Sequence, residues 1–482
     1  MKREFLLNIL FLVGINLLIK PLYIFGIDLK VQNTLGSQTY GLFAALFSLS
    51  YILQIINDAG LQQFNNQTLS QDRGLLRDQY PRLLGLKFWL AVIYLAGCAL
   101  IALSIGYGPE ILPLLLHIAF NQVLLSWILF IRSNISGMGM YRQDSLVSVL
   151  DKFLMLAICG ILLYHPDLSA RFTLSWFVWA QTISFLLTIL VGRAFLRGHG
   201  LRFSRSFSWT SLRPLVMKSL PFALAVLLMS AYTRMDTLLL ERLLPDGDHE
   251  AGIYYMAYRL LDAANNVSLL FAGLLLPMLA QMLARREDVQ PLVVVGTRLL
   301  VAGSVVTAVA VSRYADPIIH SLYDQAPGEA VASLKLLIWS FVPVSMMYVF
   351  GTLLTAGARL NLMNKALAFT VVINLVLLLV LIPLHGAVGA ATATLVTQSG
   401  VALTMIILAF RVMPVRLDWK ELRGIIGFLL VMTGLVLLPP FEQGAWTLQF
   451  GVILLIGLAV AASFGLLPLG NLFTLLRSRS RA

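Results

Sequence analysis

The feature that most limits what this chain can fold into is a succession of long apolar runs, nearly empty of charge, repeated along all 482 residues. Segments such as FLLNILFLVGINLLI, FWLAVIYLAGCALIALSI and LAFTVVINLVLLLVLIPL approach the roughly 20 residues that one helix needs to cross a hydrocarbon layer about 30 Å thick. Lipid offers no partner to a bare peptide group, so such runs must be helical, and the ten-residue alternation of an outer-membrane barrel is missing. Composition agrees: 59% of residues are apolar and 12% charged, with mean hydropathy +0.85, against about 45–50% and 25% in soluble domains. A water-soluble fold is excluded, and an all-α polytopic membrane protein of about 14 transmembrane helices is expected.

Apolar windows between charged, Pro and Gly punctuation place spans at 5–26, 39–60, 83–106, 110–131, 146–164 and 172–195. After a basic stretch come 214–240, 251–276, 291–312, 332–356, 365–384, 387–410, 424–440 and 446–468. Counting span-end residues such as Lys87 with the adjoining loops, this map puts 26 of the 35 Lys and Arg residues on the side that holds both termini, four on the other, and five deep inside spans. Positive charge accumulates on cytoplasmic loops, so both termini are expected to be cytoplasmic. The start, MKREFLLNILFLVGINLLIKPLYIFGI, has a longer apolar run than a signal peptide and no small-residue cleavage site, so it is read as a retained first helix. The net charge of +12 then needs no nucleic-acid partner; it is a solvated face beside anionic headgroups.

An internal repeat is visible. Gly36 and Gly41 open the second span, and Gly247 and Gly252, each 211 residues later, open the eighth. SGMGMYRQ after the fourth span is answered by AGARLNLM after the tenth, 220 residues on. Offsets of six helices imply parallel repeats. The expected organisation is an N-terminal lobe over 1–200, a C-terminal lobe over 201–412, and two extra helices with a basic tail over 413–482.

Ionisable residues at bilayer depth are costly, so each is a functional candidate. There are nine: Lys20, Asp58, Asp151, Lys152, Arg234, Asp236, Arg259, Asp262 and Lys335. In the eighth span Tyr255, Arg259, Asp262 and Asn266 stand at i, i+4, i+7 and i+11, one narrow helix face. Asn16, Lys20 and Tyr23 repeat that spacing in the first span; Ser230, Arg234, Thr237 and Glu241 do so in the seventh, and Ser48, Tyr51, Gln54 and Asp58 line the second. Such stripes suggest a hydrated cleft between lobes. Competing readings are an intrahelical Arg259–Asp262 pair, a helix-end role for Asp58, and snorkelling of Lys335 to the headgroups. Asp151 and Lys152, about 100° apart on the helix, are expected to serve different neighbours.

Other chemistries lack their residues. The six histidines form no HxxxH pair, and neither GxxxxGK[ST] nor GxSxG occurs. Cys98 and Cys159 lie inside apolar runs as small packing residues. Asp246-Gly247-Asp248 is read as a turn in a ten-residue loop, and outer loops below about twenty residues leave no room for a catalytic domain. Movement of a substrate rather than chemistry upon it is indicated, with no enzyme activity and no cofactor.

The glycines around the second span, NDAGL at 57–61, and RMDTLLLERLLPDGDHEAGIYYMAYRLLDAANN, with GIY-x-x-A-x-R from Gly252 to Arg259, resemble the polysaccharide-transporter branch of the multidrug/oligosaccharidyl-lipid/polysaccharide exporter superfamily. The resemblance implies alternating-access flipping of undecaprenyl-pyrophosphate-linked oligosaccharide from the cytoplasmic to the periplasmic leaflet, for O-antigen, capsule or exopolysaccharide assembly. A pyrophosphate suits cations in a low-dielectric cleft. Lys20, Arg234 and Arg259 are the expected phosphate contacts, Tyr255, Asn266 and Asn16 the sugar contacts, and Asp262 and Asp58 the candidates for proton or sodium coupling. Expected partners are the lipid-linked substrate, membrane lipids, a coupling ion and glycan polymerase or assembly proteins. The alternatives are a multidrug or cation antiporter or a lipid II flippase of the same superfamily, and a membrane-embedded glycan polymerase or ligase.

Overall fold

A computed structural model describes residues 14–16, 18–61, 75–138, 140–197, 209–324, 326–416, 418–437 and 445–467. Among them every regular element is a helix. Eleven helices are long and apolar enough to cross a membrane. Two of these, 14–58 and 360–412, are each broken at a glycine whose backbone is not helical, giving thirteen crossings. Trp419–Leu437, nineteen residues carrying Lys420, Glu421 and Arg423 in its first turns, is a further long helix among the described residues. The chain is an all-α, multi-pass membrane protein. Its surface has the inverse of soluble polarity: Leu100, Phe369 and Leu448 are 68%, 69% and 72% exposed.

The chain forms two compact units, Met1–Gly252 and Ile253–Ala482. In the first, helical residues from 18 pass through a π-turn, Ile24–Asp28, into α1, Leu29–Asp58. The break within α1 is Gly36, at φ 78° and ψ 164°, a conformation open to glycine but strained for any L side chain. The residues between the first two expected spans, 27–38, are therefore helical rather than a loop. Their polar side chains misled the sequence reading because they are satisfied internally: Asp28 accepts from the Tyr40 hydroxyl (2.9 Å), and Gln32 donates to the Gly252 carbonyl (3.1 Å).

There follow α2 (Leu75–Ser104), α3 (Leu112–Gly137), α4 (Tyr141–Tyr164), the single turn α5 (Pro166–Ser169), α6 (Leu174–Leu196) and α7 (Trp209–Leu243). Pro113 begins α3 where its missing N–H costs nothing. Polar bonds tie the helices across an apolar interior: Thr182 donates to Asn121 (2.7 Å), whose amide donates to the Val178 carbonyl (3.0 Å), and the Tyr94 hydroxyl donates to the Ser50 carbonyl (2.8 Å). Bonds of this kind contribute about 0.6 to 2 kcal/mol each in a bilayer.

Only residues 244–246 separate α7 from α8, Gly247–Ala284. The expected ten-residue loop is thus three residues, and Asp248 already belongs to the first turn of α8, where acidic residues complement the helix dipole. The second unit continues with α9 (Gln290–Arg313), α10 (Ala315–Leu322), α11 (Gly328–Leu337), α12 (Phe341–Ala356), α13 (Leu360–Val412), α14 (Trp419–Leu437) and α15 (Trp446–Ser463). A 3-10 turn, Ile338–Ser340, joins α11 to α12 just before Pro343. Gly386 folds α13 into two arms, and the second buries Ala387, Ala390, Ala391, Ala393 and Thr394, small residues that let helix backbones approach. The last two helices dock on α9: Arg313 donates to the Leu435 carbonyl (2.8 Å) and Tyr314 to Gln449 (3.0 Å).

Candidate functional site

The cations and their aromatic neighbours define two groups of candidate residues, one within each unit. In the first unit α1 packs along α7. Arg234, in the C-terminal third of α7, lies with its guanidinium 5.2 Å from the ring centroid of Tyr51 and 5.8 Å from that of Phe47. Phe47 and Tyr51, one turn apart on α1, stack at 5.9 Å. The pair presents π faces to a guanidinium, an attraction of about 0.5 to 2 kcal/mol depending on desolvation. Tyr51 was part of the polar stripe on the second span; Phe47 was missed because only its place one turn before Tyr51 marks it.

The stripe on the first span meets α4. Asn16 donates to the Ser148 hydroxyl (3.0 Å), and one turn along α4 the Lys152 ammonium lies 4.8 Å from the Tyr23 ring. Lys20, between Asn16 and Tyr23 on the same face, is half-buried. Lys152 also lies 3.2 Å from the carboxylate of Asp151. The expectation that these adjacent residues serve different neighbours is corrected: a four-carbon lysine stem folds back along the helix and spans the 100° between them.

Asp58, at the end of α1, accepts from Lys87 of α2 at 3.0 Å. Lys87 was counted among the loop cations, yet it is fully buried; its ammonium also donates to Ser126 (2.7 Å) and lies 5.5 Å from the Phe130 ring. The charge was hidden in the sequence because it stands at the start of an apolar run, where snorkelling is the ordinary outcome. Near the opposite end of this unit Tyr107 donates to Glu241 (2.7 Å), which Arg242 also binds while stacking 3.9 Å from the Tyr107 ring. Burial, followed by the Glu241 carboxylate, pushes the Tyr107 phenol well above its ordinary pKa.

In the second unit the α8 stripe shows a second arginine on an aromatic face. The Arg259 guanidinium lies 4.9 Å from the ring of Tyr255, one turn before it, and Tyr255 is itself in contact with Tyr258 at 5.9 Å. Tyr255 is buried, whereas Arg259, Asp262 and Asn266 are half-buried. Asn266 turns its amide back along the helix to the Asp262 carbonyl (2.8 Å). Lys335 is exposed, as a snorkelling lysine would be. Among the described residues no group of three His, Cys, Asp or Glu could hold a metal ion.

The arrangement therefore offers helix-borne guanidinium groups, held at membrane depth by aromatic faces. That chemistry is suited to anionic phosphates and to sugar rings that stack on aromatics.

The family model described as "Polysaccharide biosynthesis protein" matches residues 5–283, more than half of the chain. No curated protein matches it by sequence. Among solved structures, a lipid II flippase MurJ in an inward closed conformation superposes with TM-score 0.70 at 14% identity, covering 92% of this chain and 96% of its own. An inward-facing MATE multidrug transporter of the MOP superfamily gives 0.62 at 14% identity, over 80% and 93%. A Vibrio cholerae MATE transporter gives 0.58 at 16% identity, over 84% and 95%. These likenesses show the fold.

Proposed function

Since the chain belongs to the polysaccharide biosynthesis protein family, we propose that it flips an undecaprenyl-pyrophosphate-linked oligosaccharide from the cytoplasmic to the periplasmic leaflet of the bacterial inner membrane by alternating access, without enzymatic chemistry. The observation that carries this reading is the seating of Arg234 against Phe47 and Tyr51 and of Arg259 against Tyr255. A guanidinium over a ring keeps its charge and its outward N–H donors, and it binds phosphate bidentately. Lys20 adds a third cation for the pyrophosphate; Tyr255, Asn16 and Asn266 supply hydroxyl and amide groups for sugars. Asp262, on the α8 face that carries Arg259, and Asp58, paired with Lys87, are the candidates for ion coupling. The glycan would enter O-antigen, capsule or exopolysaccharide assembly, and the carrier would work beside glycan polymerases.

A second reading, a lipid II flippase, draws on the MurJ superposition and on the same pyrophosphate chemistry. A multidrug antiporter finds less support, since arginines on aromatic faces repel rather than attract a cationic drug.

The experiment is native mass spectrometry of the purified protein with an undecaprenyl-pyrophosphate saccharide, lipid II and a cationic dye. Retention of the saccharide lipid, weakened by Arg234→Ala and Arg259→Ala and unaffected by the dye, is the expected result. Dye retention without glycolipid retention would reject the proposal, and preferential lipid II retention would favour the second reading.

A further inference from the structure

Two adjoining cavities lie in the second unit, far along the sequence from the residues above. One, of ≈ 240 Å³, is enclosed by α9, α12, the second arm of α13, and α14; Val294, Val301, Met346, Phe350, Phe410 and Ile425 give its character. The other, of ≈ 900 Å³, opens beside it and shares Gln290, Val415, Arg416 and Asp418 with it. Its rim adds Trp419, Lys420 and Arg423. An apolar chamber continuous with a polar, basic cup has the amphipathic layout of a lipid site.

The charges of the cup are not balanced among themselves. Its two acids are engaged by backbone amides at helix starts: Asp288 accepts from the Gln290 backbone N–H (3.0 Å) at the start of α9, and Asp418 accepts from the Lys420 backbone N–H (2.8 Å) at the start of α14. Glu421, on the wall, is held by Arg298 (2.7 Å). Arg416 and Lys420 are exposed, and among the described residues neither has an ion pair. The backbone of Arg416 is fixed on the rim by Gln290, whose amide both donates to its carbonyl and accepts from its N–H, each at 2.8 Å. With both acids engaged by backbone amides at the helix starts, Arg416, Lys420 and Arg423 leave the cup an excess of positive charge, which favours an anion. Trp419, 65% exposed, stands there as tryptophans do at headgroup level. Inside the apolar chamber the buried Thr297 hydroxyl has no hydrogen-bond partner, and an ester carbonyl at the top of an acyl chain would supply one.

We propose that this paired cavity holds a resident anionic phospholipid, with an acyl chain between α9, α12, α13 and α14 and its phosphate on Arg416 and Lys420. The site is separate from the residues assigned to transport and does not depend on that assignment. It would fasten α14 to the second unit through a lipid.

The test is native mass spectrometry of the full-length protein offered phosphatidylglycerol, phosphatidylethanolamine and a polyprenyl diphosphate in turn. Wild type is expected to retain phosphatidylglycerol about tenfold better than phosphatidylethanolamine, from the attraction of two basic side chains. Arg416→Gln with Lys420→Gln should abolish that preference without changing the melting temperature in the absence of lipid. Val294→Phe, which fills the chamber, should reduce retention of both phospholipids. Equal retention of the two phospholipids by wild type, or indifference to both variants, overturns the proposal. Preferential polyprenyl diphosphate retention that Val294→Phe removes also overturns it, because the occupant would then be a carrier lipid.

Discussion

Gly41 of α1 and Gly252 of α8 meet backbone to backbone: a Cβ on Gly41 would stand 2.6 Å from the Gly252 amide nitrogen, and one on Gly252 would stand 2.7 Å from the carbonyl carbon of Ser37. These are the two glycines that the 211-residue offset pairs in the sequence. Close by, Ser37 and His249 are hydrogen-bonded at 2.7 Å.

Gly41→Ala and Gly252→Ala should each destabilise the protein by about 1–3 kcal/mol, the usual cost of overpacking against backbone that cannot yield. Gly273→Ala, on α8 with nothing within 4 Å of its added carbon, should be neutral or stabilising by up to about 1 kcal/mol. Melting temperatures in detergent check the contrast; equal effects at all three positions would contradict it.

The two arginines on aromatic faces should matter by shape as well as charge. Arg234→Lys keeps the charge but loses the planar stack on Phe47 and Tyr51, so glycolipid flipping in proteoliposomes should fall about tenfold. Tyr51→Leu should do the same with Arg234 intact. Full activity in both would leave the stack a packing feature.

Asp58→Asn should leave the fully buried Lys87 ammonium without its counter-charge and cost about 3–5 kcal/mol. Replacing both, with Asp58→Leu and Lys87→Met, should recover most of that loss. Denaturation measurements on the two variants, followed by a transport assay on the double variant, separate a structural pair from a coupling site: transport that survives in the double variant makes the pair structural.

Tyr107 gives a pH dependence. Its pKa is raised in the folded chain, so its contribution is complete below the unfolded value of about 10 and is lost as pH rises toward the folded one. Tyr107→Phe should make the alkaline decline of stability shallower while costing about 1–3 kcal/mol at neutral pH, where Glu241 loses a buried donor. Thermal melts from pH 8 to 11 read both effects.

Spans bounded by charge or proline were legible nearly to the residue. The window at 172–195 corresponds to Leu174–Leu196 and that at 291–312 to Gln290–Arg313, whereas α2 begins at Leu75, eight residues before the window at 83–106. Hydropathy fails where polar side chains are buried and satisfied by distant partners, as with Asp28 and Gln32 in the stretch expected to be a loop. The helix face shared by the candidates Tyr255 and Arg259 was legible as a stripe, since a 3.6-residue period places them together. What the stripes face was not, because Ser148, Phe47 and Lys87 come from other helices and no local pattern announces a long-range contact. The Asp151–Lys152 pair escaped for the opposite reason: wheel angles locate Cβ atoms, not the ends of long side chains.

The burial of Lys87 also bears on how the chain enters the bilayer during synthesis. A lysine at the centre of a span costs about 2.5–3.5 kcal/mol on insertion scales, and Lys87, within α2, gains from a counter-charge that is already present. Asp58 precedes Lys87 by 29 residues and Ser126 follows it by 39. The carboxylate therefore leaves the ribosome first, so α1 and α2 can enter as a neutralised hairpin, and the hydroxyl of α3 completes the coordination once that helix arrives.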